Sequence, residues 1–187
     1  MKIFDLTHDI PPYNIWEAAY RLYQTLAYWP VGTVFVLLVD RGVGSQRRSD
    51  VMKSKTGHFF VTPDNGTLTL VAQYPGVQNV REIDETKNRL ASSGGSYTFY
   101  GRDICAYTAA RLAAGKITYA QVGKLLDNTV VAIPYQTPVF TIDSTSGTLP
   151  ILDVQYGNLW TNIDTTVFNY MQLKTGDEVA VVIYHGQ

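Results

Sequence analysis

The residues best equipped for chemistry form four short polar clusters. The first is Asp40-Arg41-Gly42-Val43-Gly44-Ser45-Gln46-Arg47-Arg48. Glycines at 42 and 44 allow tight turns beside a ligand. A carboxylate at 40 and a guanidinium at 47 can pair around such a loop and orient a water or a sugar hydroxyl. The cluster lacks the Lys-Ser/Thr of a phosphate-binding loop, and the same residues also make an ordinary surface turn with an ion pair. The second cluster, Pro63-Asp64-Asn65-Gly66, has turn-forming chemistry between two apolar runs. The third is Thr98-Phe99-Tyr100-Gly101-Arg102-Asp103, where Asp103 fits as a helix N-cap and Gly101 can bring free backbone N–H groups near a ligand. The fourth spans 153–163. There Asp153, Tyr156, Asn158 and Trp160 offer stacking faces beside an amide and a carboxylate, suited either to a nucleobase and an amine or to a buried hairpin corner.

The elements that must carry these clusters read as α/β. Lys2 to Leu6 suggests a short strand, and Pro11-Pro12 an extended turn. Asn14 is a candidate N-cap, and apolar residues at 15, 18, 19, 22 and 26 predict an amphipathic helix over 15–27. Thr33 to Val39 is apolar without alternation, the pattern of a parallel strand buried on both faces, and it would deliver Asp40 to the strand end where ligands of open α/β sheets bind. Val80 to Ile83 predicts a further strand, 92–96 a loop, 103–114 a second helix and 117–125 a short amphipathic segment. This order of elements argues an α/β N-terminal domain over 1–135 with a central, largely parallel sheet. From 136 to 187 the chain turns β-rich, with strands predicted at 151–154, 160–163 and 179–184. That small second domain is short to stand alone and should lean on the first or on another copy of the chain.

Composition narrows the function classes. The chain has 187 residues, a net charge of −1 and 17% charged residues, without the basic excess of a nucleic-acid binder. One cysteine, Cys105, precludes an internal disulfide, and His8, His58 and His185 show no metal-ligand spacing. The most apolar run, 34–39, is far below the roughly 20 residues of a spanning helix, and Met-Lys-Ile-Phe-Asp is no secretory leader. A cytoplasmic protein without membrane, metal or cofactor is therefore expected.

Together, the stretches DLTHDIPPYNI (5–15), PVGTVFVLLVDRGVGSQRR (30–48), TPDNGTL (62–68), TFYGRDICAYTAARLAAG (98–115) and DVQYGNLWTNI (153–163) resemble the S-adenosylmethionine (SAM) hydroxide adenosyltransferases, or SAM hydrolases, relatives of the SAM-dependent fluorinase and chlorinase. The resemblance implies an α/β sandwich domain and a small β-rich domain, assembled as a homotrimer with sites between subunits. It implies attack of water at the ribose C5′ of SAM, giving adenosine and L-methionine. It assigns Asp40 and Arg47 to the water-handling set, with Tyr100 in the position of the family's histidine. It places Tyr13, Phe99, Gly101, Asp153, Tyr156 and Asn158 around the substrate. Tyr100 is also what the halogenating relatives carry, whereas Asp40 is what they lack; Arg41 stands where the family usually has proline. The resemblance further implies a chain shortened at both ends, without the strand whose aspartate grips the ribose. That predicts weak turnover or none, and an exposed edge on the 33–39 strand. A halide-using relative and a non-catalytic adenosine- or SAM-binding remnant are the competing readings.

Overall fold

A computed structural model describes residues 2–42, 44–94, 98–153 and 156–184. The chain divides into two compact units, Met1–Pro134 and Tyr135–Gln187. In the first, α1 (Ile15–Leu26) begins where Asn14 caps it: the Asn14 side-chain oxygen accepts the Glu17 backbone N–H at 3.0 Å, and its amide donates back to the Glu17 carboxylate at 3.1 Å. The helical spacing puts Ala18, Ala19, Leu22 and Leu26 on one buried face.

Four strands follow: β1 (Val34–Val36), β2 (Ser49–Ser54), β3 (Phe59–Pro63) and β4 (Val77–Glu82), in the spatial order β1-β3-β2-β4. Alternation sends Met52 and Phe60 to one face, against Leu22, Leu26, Phe35, Leu68, Val71 and Val80. Their neighbours Val51 and Val61 point to the other, against Ile83, Ile104, Cys105, Ala109, Ile117 and Val122. Phe60 is fully buried and stacks on Phe35 with ring centroids 5.3 Å apart. Between β3 and β4 the chain makes a helical turn, α2 (Thr69–Val71), and then kinks at Tyr74, whose backbone is extended (φ −134°, ψ 105°), before entering β4.

The largely parallel sheet expected from the sequence is corrected here. Only β1 and β3 run parallel; β2 pairs antiparallel with both β3 and β4. Just four residues join β2 to β3, which is hairpin length and too short for a crossover. The expected burial of 33–39 on both faces is also corrected. Pairing is confined to Val34–Val36; Phe35 is buried, while Val36 and Leu38 are exposed. The cause is position: β1 is an edge strand, paired on one side only among the described residues. The opposite edge is covered, because residues 122–126 run beside β4 and exchange the hydrogen bonds Glu82 N–H to Lys124 O and Leu126 N–H to Val80 O.

Beyond the 3₁₀ turn at Ala91–Ser93, a π-helical segment at Gly101–Ala106 runs directly into α3 (Tyr107–Ala113). Asp103 is not the N-cap expected of it. Tyr100 already has helical φ/ψ, and Asp103 lies inside the turn, fully buried, with its carboxylate taken by Arg102 at 2.7 Å. The predicted loop at 92–96 has Gly95 and Ser96 outside the described residues.

The second unit contains two small antiparallel pairs, β5 (Val139–Phe140) with β6 (Thr145–Ser146) and β7 (Ile151–Asp153) with β8 (Asn158–Trp160). A short helix, α4 (Thr165–Tyr170), is capped by Asp164. The strand expected at 160–163 is displaced toward the turn, onto Asn158–Trp160, and Val154 of the expected 151–154 strand lies outside the described residues. The strand expected at 179–184 is absent: Val179, Val181, Val182, Ile183 and Tyr184 are exposed in irregular backbone. β-branched composition favours a strand only where a partner supplies the ladder.

Candidate active site

β1 ends at Val36, four positions before Asp40, and the chain from Asp40 to Arg47 folds back on itself. Asp40 Oδ1 accepts the Gly42 backbone N–H at 2.9 Å and the Arg47 Nε–H at 2.8 Å, while Arg47 Nη2 donates to Oδ2. This is a bidentate carboxylate–guanidinium pair. Each side chain is only 12% exposed. Arg47 Nη1 also donates to Ser49 Oγ at 3.3 Å, at the first residue of β2. The Arg47 guanidinium carbon lies 5.4 Å from the centre of the Tyr100 ring, a cation–π contact. Asp40, Arg47 and Tyr100, up to sixty positions apart in the chain, thus meet at one place. Among the described residues the carboxylate has two bonds on Oδ1 and one on Oδ2, which keeps an acceptor position on Oδ2 for a further donor such as water.

Gly101, the residue after Tyr100, faces the Leu38 side chain. A Cβ there would come within 3.0 Å of Leu38 Cδ1, so a side chain would push β1's continuation away from the π-helical segment. Segments of that kind are frequent at functional sites. Phe99 is exposed, with the Arg102 guanidinium over its ring at 4.6 Å. Tyr13 is exposed too and has a left-handed backbone (φ +68°), a conformation costly for a residue with a side chain. Arg41 Nε donates to its carbonyl at 2.7 Å, tying the turn before α1 to the Asp40 loop. Cys105 supplies no nucleophile: burial pushes its thiol up to about 11.

In the second unit Asp153, Tyr156 and Asn158 share the β7–β8 hairpin, where Asp153 pairs in register with Asn158. Tyr156 and Asn158 are exposed. Asp153 is buried, and its Oδ2 accepts the Trp160 indole N–H at 3.1 Å, so it braces the hairpin whatever else it binds. Among the described residues no three His, Cys, Asp or Glu side chains are placed to share a metal ion, and no helix is long and apolar enough to cross a membrane; His185 lies outside them.

Sequence reasoning missed the polar group beside the site. Asp64 Oδ2 accepts from Arg48 Nη2 at 2.8 Å, Asp50 Oδ2 accepts from Arg48 Nε at 3.0 Å, and Asp64 Oδ1 accepts the Val131 N–H at 2.7 Å. Asp50 is fully buried, and its Oδ1 has no hydrogen-bond partner among the described residues. Burial first, then the charge of Asp64, pushes the Asp50 carboxyl up to about 7, against the opposing pull of Arg48. An unfolded Asp titrates near 4, so between roughly pH 4 and 7 the native state holds a proton that the unfolded chain has lost. Stability contributed by that proton is complete below pH 4 and disappears as pH rises through about 7. Urea melts at a series of pH values should therefore give a steeper fall in stability from pH 5 to 8 for the parent chain than for Asp50→Asn. Equal slopes would show that Asp50 does not carry the effect.

The chain belongs to the SAM hydroxide adenosyltransferase family: residues 1–123 match the SAM hydroxide adenosyltransferase N-terminal domain. It is 34% identical over 186 residues to the (R)-S-adenosyl-L-methionine hydrolase of Methanocaldococcus jannaschii, covering 98% of the chain and 61% of that protein. It is 27% identical over 206 residues to the fluorinase of Actinopolyspora mzabensis, covering 98% of the chain and 68% of the fluorinase. Among solved structures, an uncharacterized conserved protein from Thermotoga maritima matches with a TM-score of 0.88 at 37% identity, over 95% of the chain and 66% of that structure. The chain thus spans 61% of the length of the M. jannaschii relative.

Proposed function

We propose that the protein hydrolyses SAM to adenosine and L-methionine. The observation that carries this reading is the Asp40–Arg47 pair against Tyr100, a largely buried carboxylate with one acceptor position left for water. The relatives named SAM hydrolase support it. In the reaction a water oxygen attacks C5′ in line with the sulfonium. The C5′–O bond forms as the C5′–S bond breaks, the electron pair passes to sulfur, and the water's second proton leaves to solvent. The sulfonium is already a good leaving group, so the chemistry calls for no metal or cofactor. The protein's task is alignment and exclusion of competing water. Asp40 orients the water, Arg47 fixes Asp40, and the Tyr100 ring holds Arg47 from the other side.

In the same proposal Tyr13, Phe99 and Gly101 line the substrate in the first unit, and Asp153, Tyr156 and Asn158 hold its methionine and adenine ends. The working form is a cytoplasmic homotrimer of α/β sandwich and β-rich domains. The exposed apolar run at 179–184 supports assembly.

A halide in place of water is the second reading, favoured by Tyr100 and by the likeness to fluorinases. It is opposed by Asp40, whose carboxylate would repel an incoming anion. Incubation with SAM and chromatography of the products separates the readings. Equimolar adenosine and methionine, unaffected by chloride or fluoride, are expected. A 5′-halogenated nucleoside would establish the halide reaction instead, and adenosine binding without turnover would mark a non-catalytic binder.

A further inference from the structure

The Asp64–Thr67 turn touches both halves of the Asp40–Arg47 pair through their chain neighbours. Asn65 Nδ2 donates to the carbonyl of Val39, the residue before Asp40, at 2.8 Å. On the other side, the Asp64 N–H donates to the carbonyl of Arg48, the residue after Arg47, at 3.0 Å, and the Arg48 side chain returns to the Asp64 carboxylate. The turn is itself held rigid. Thr67 donates from both its backbone N–H (3.2 Å) and its hydroxyl (2.7 Å) to Asn65 Oδ1, which fixes the amide orientation so that Nδ2 faces Val39. Gly66 has φ +104°, and a Cβ there would stand 2.4 Å from Ile133 Cγ1, so the turn admits only glycine at that position. Asp64, Gly66 and Thr67 are buried.

The geometry points to Asn65 as a positioning residue for the reaction: its amide sets the height of the Asp40 carboxylate by holding the Val39 carbonyl, while Asp64 sets Arg47 through Arg48. This rests on the hydrolase reading for its kinetic consequence, though not for the geometry. Val39 and Asp40 lie beyond the last paired residue of the edge strand, and no further ladder holds them among the described residues. Among the described residues, the one long-range bond on the Val39 carbonyl comes from Asn65, 26 positions away. Loss of it frees the carboxylate to shift, and a shift of about 1 Å at a reacting group costs on the order of 10²-fold in rate.

Asn65→Asp is the informative variant. It keeps the oxygen that accepts from Thr67 and replaces the donor to Val39 with an acceptor. Turnover of SAM should fall about 10- to 100-fold with KM within about threefold. In an Asp40→Asn background the same change should alter kcat less than about twofold, because the group it positions is already disabled. Full additivity would overturn the proposal. An activity-independent readout accompanies the kinetics. In arginine-labelled protein the Arg47 Nε–H, assigned by its loss in Arg47→Ala, should give a slowly exchanging NMR signal that is lost in Asn65→Asp. An unchanged signal overturns the proposal. If Asn65→Asp does not fold, Thr67→Val, which removes one of the two bonds on Asn65 Oδ1, carries the same tests with a smaller loss. Absence of turnover in the parent chain would sink the hydrolase reading and leave the Nε–H comparison to decide the role of Asn65.

Discussion

Asp40→Asn is expected to lower kcat for SAM hydrolysis by about 10²-fold or more, the scale of a positioned proton-handling group. The substitution is nearly isosteric, so the loop should hold its shape through the Gly42 and Arg47 bonds to Oδ1. What changes is Oδ2, which turns from acceptor into a donor aimed at the Arg47 guanidinium. The water loses its acceptor and the pair loses its charge balance at once. Arg47→Ala should cost as much, because it leaves a carboxylate that is only 12% exposed without its partner and removes the cation held against Tyr100. Adenosine affinity should change less than about threefold in both variants, since neither side chain is assigned to the nucleoside. Steady-state kinetics with parallel adenosine titrations checks this. Turnover at the parent rate in both variants would remove the pair from the mechanism.

The second large effect lies in the core. Phe60→Ala should destabilise the protein by about 3–5 kcal/mol, the range for truncating a fully buried aromatic. Phe60 has no exposed surface, sits in a strand paired on both sides, and stacks on Phe35, itself in β1. Removing the ring opens a cavity beneath the strand that leads to Asp40. Against the 5–15 kcal/mol typical of a domain, such a loss leaves little margin. Urea denaturation measures it, and a loss below about 1 kcal/mol would show that the α1-facing core does not depend on this stack.

Local signals carried the parts of this architecture that local interactions build. The spacing 15, 18, 19, 22, 26 and the Asn14 cap located α1 to within one residue of its end. The Asp40–Arg47 pairing was legible because a glycine-containing loop brings two complementary groups seven positions apart within reach. Features that depend on distant partners were not. Thr33 to Val39 has the composition of a doubly buried strand, but burial is decided by neighbours in the sheet, and β1 has one. The run 179–184 has strand composition and no ladder. Asp103 has the right chemistry for a cap, yet the helix begins ahead of it and Arg102 claims its carboxylate. Asn65 read only as a turn former, because nothing local marks an amide whose partner lies 26 positions back.

Hydrolysis of SAM in water enriched in oxygen-18, followed by mass spectrometry of both products, tests the central claim most directly. Attack of water at C5′ predicts one heavy oxygen in the adenosine 5′-hydroxyl and none in methionine. Release of adenosine without the label, label in methionine, or a halide-dependent nucleoside product in its place would contradict the assignment of the Asp40–Arg47–Tyr100 site to water.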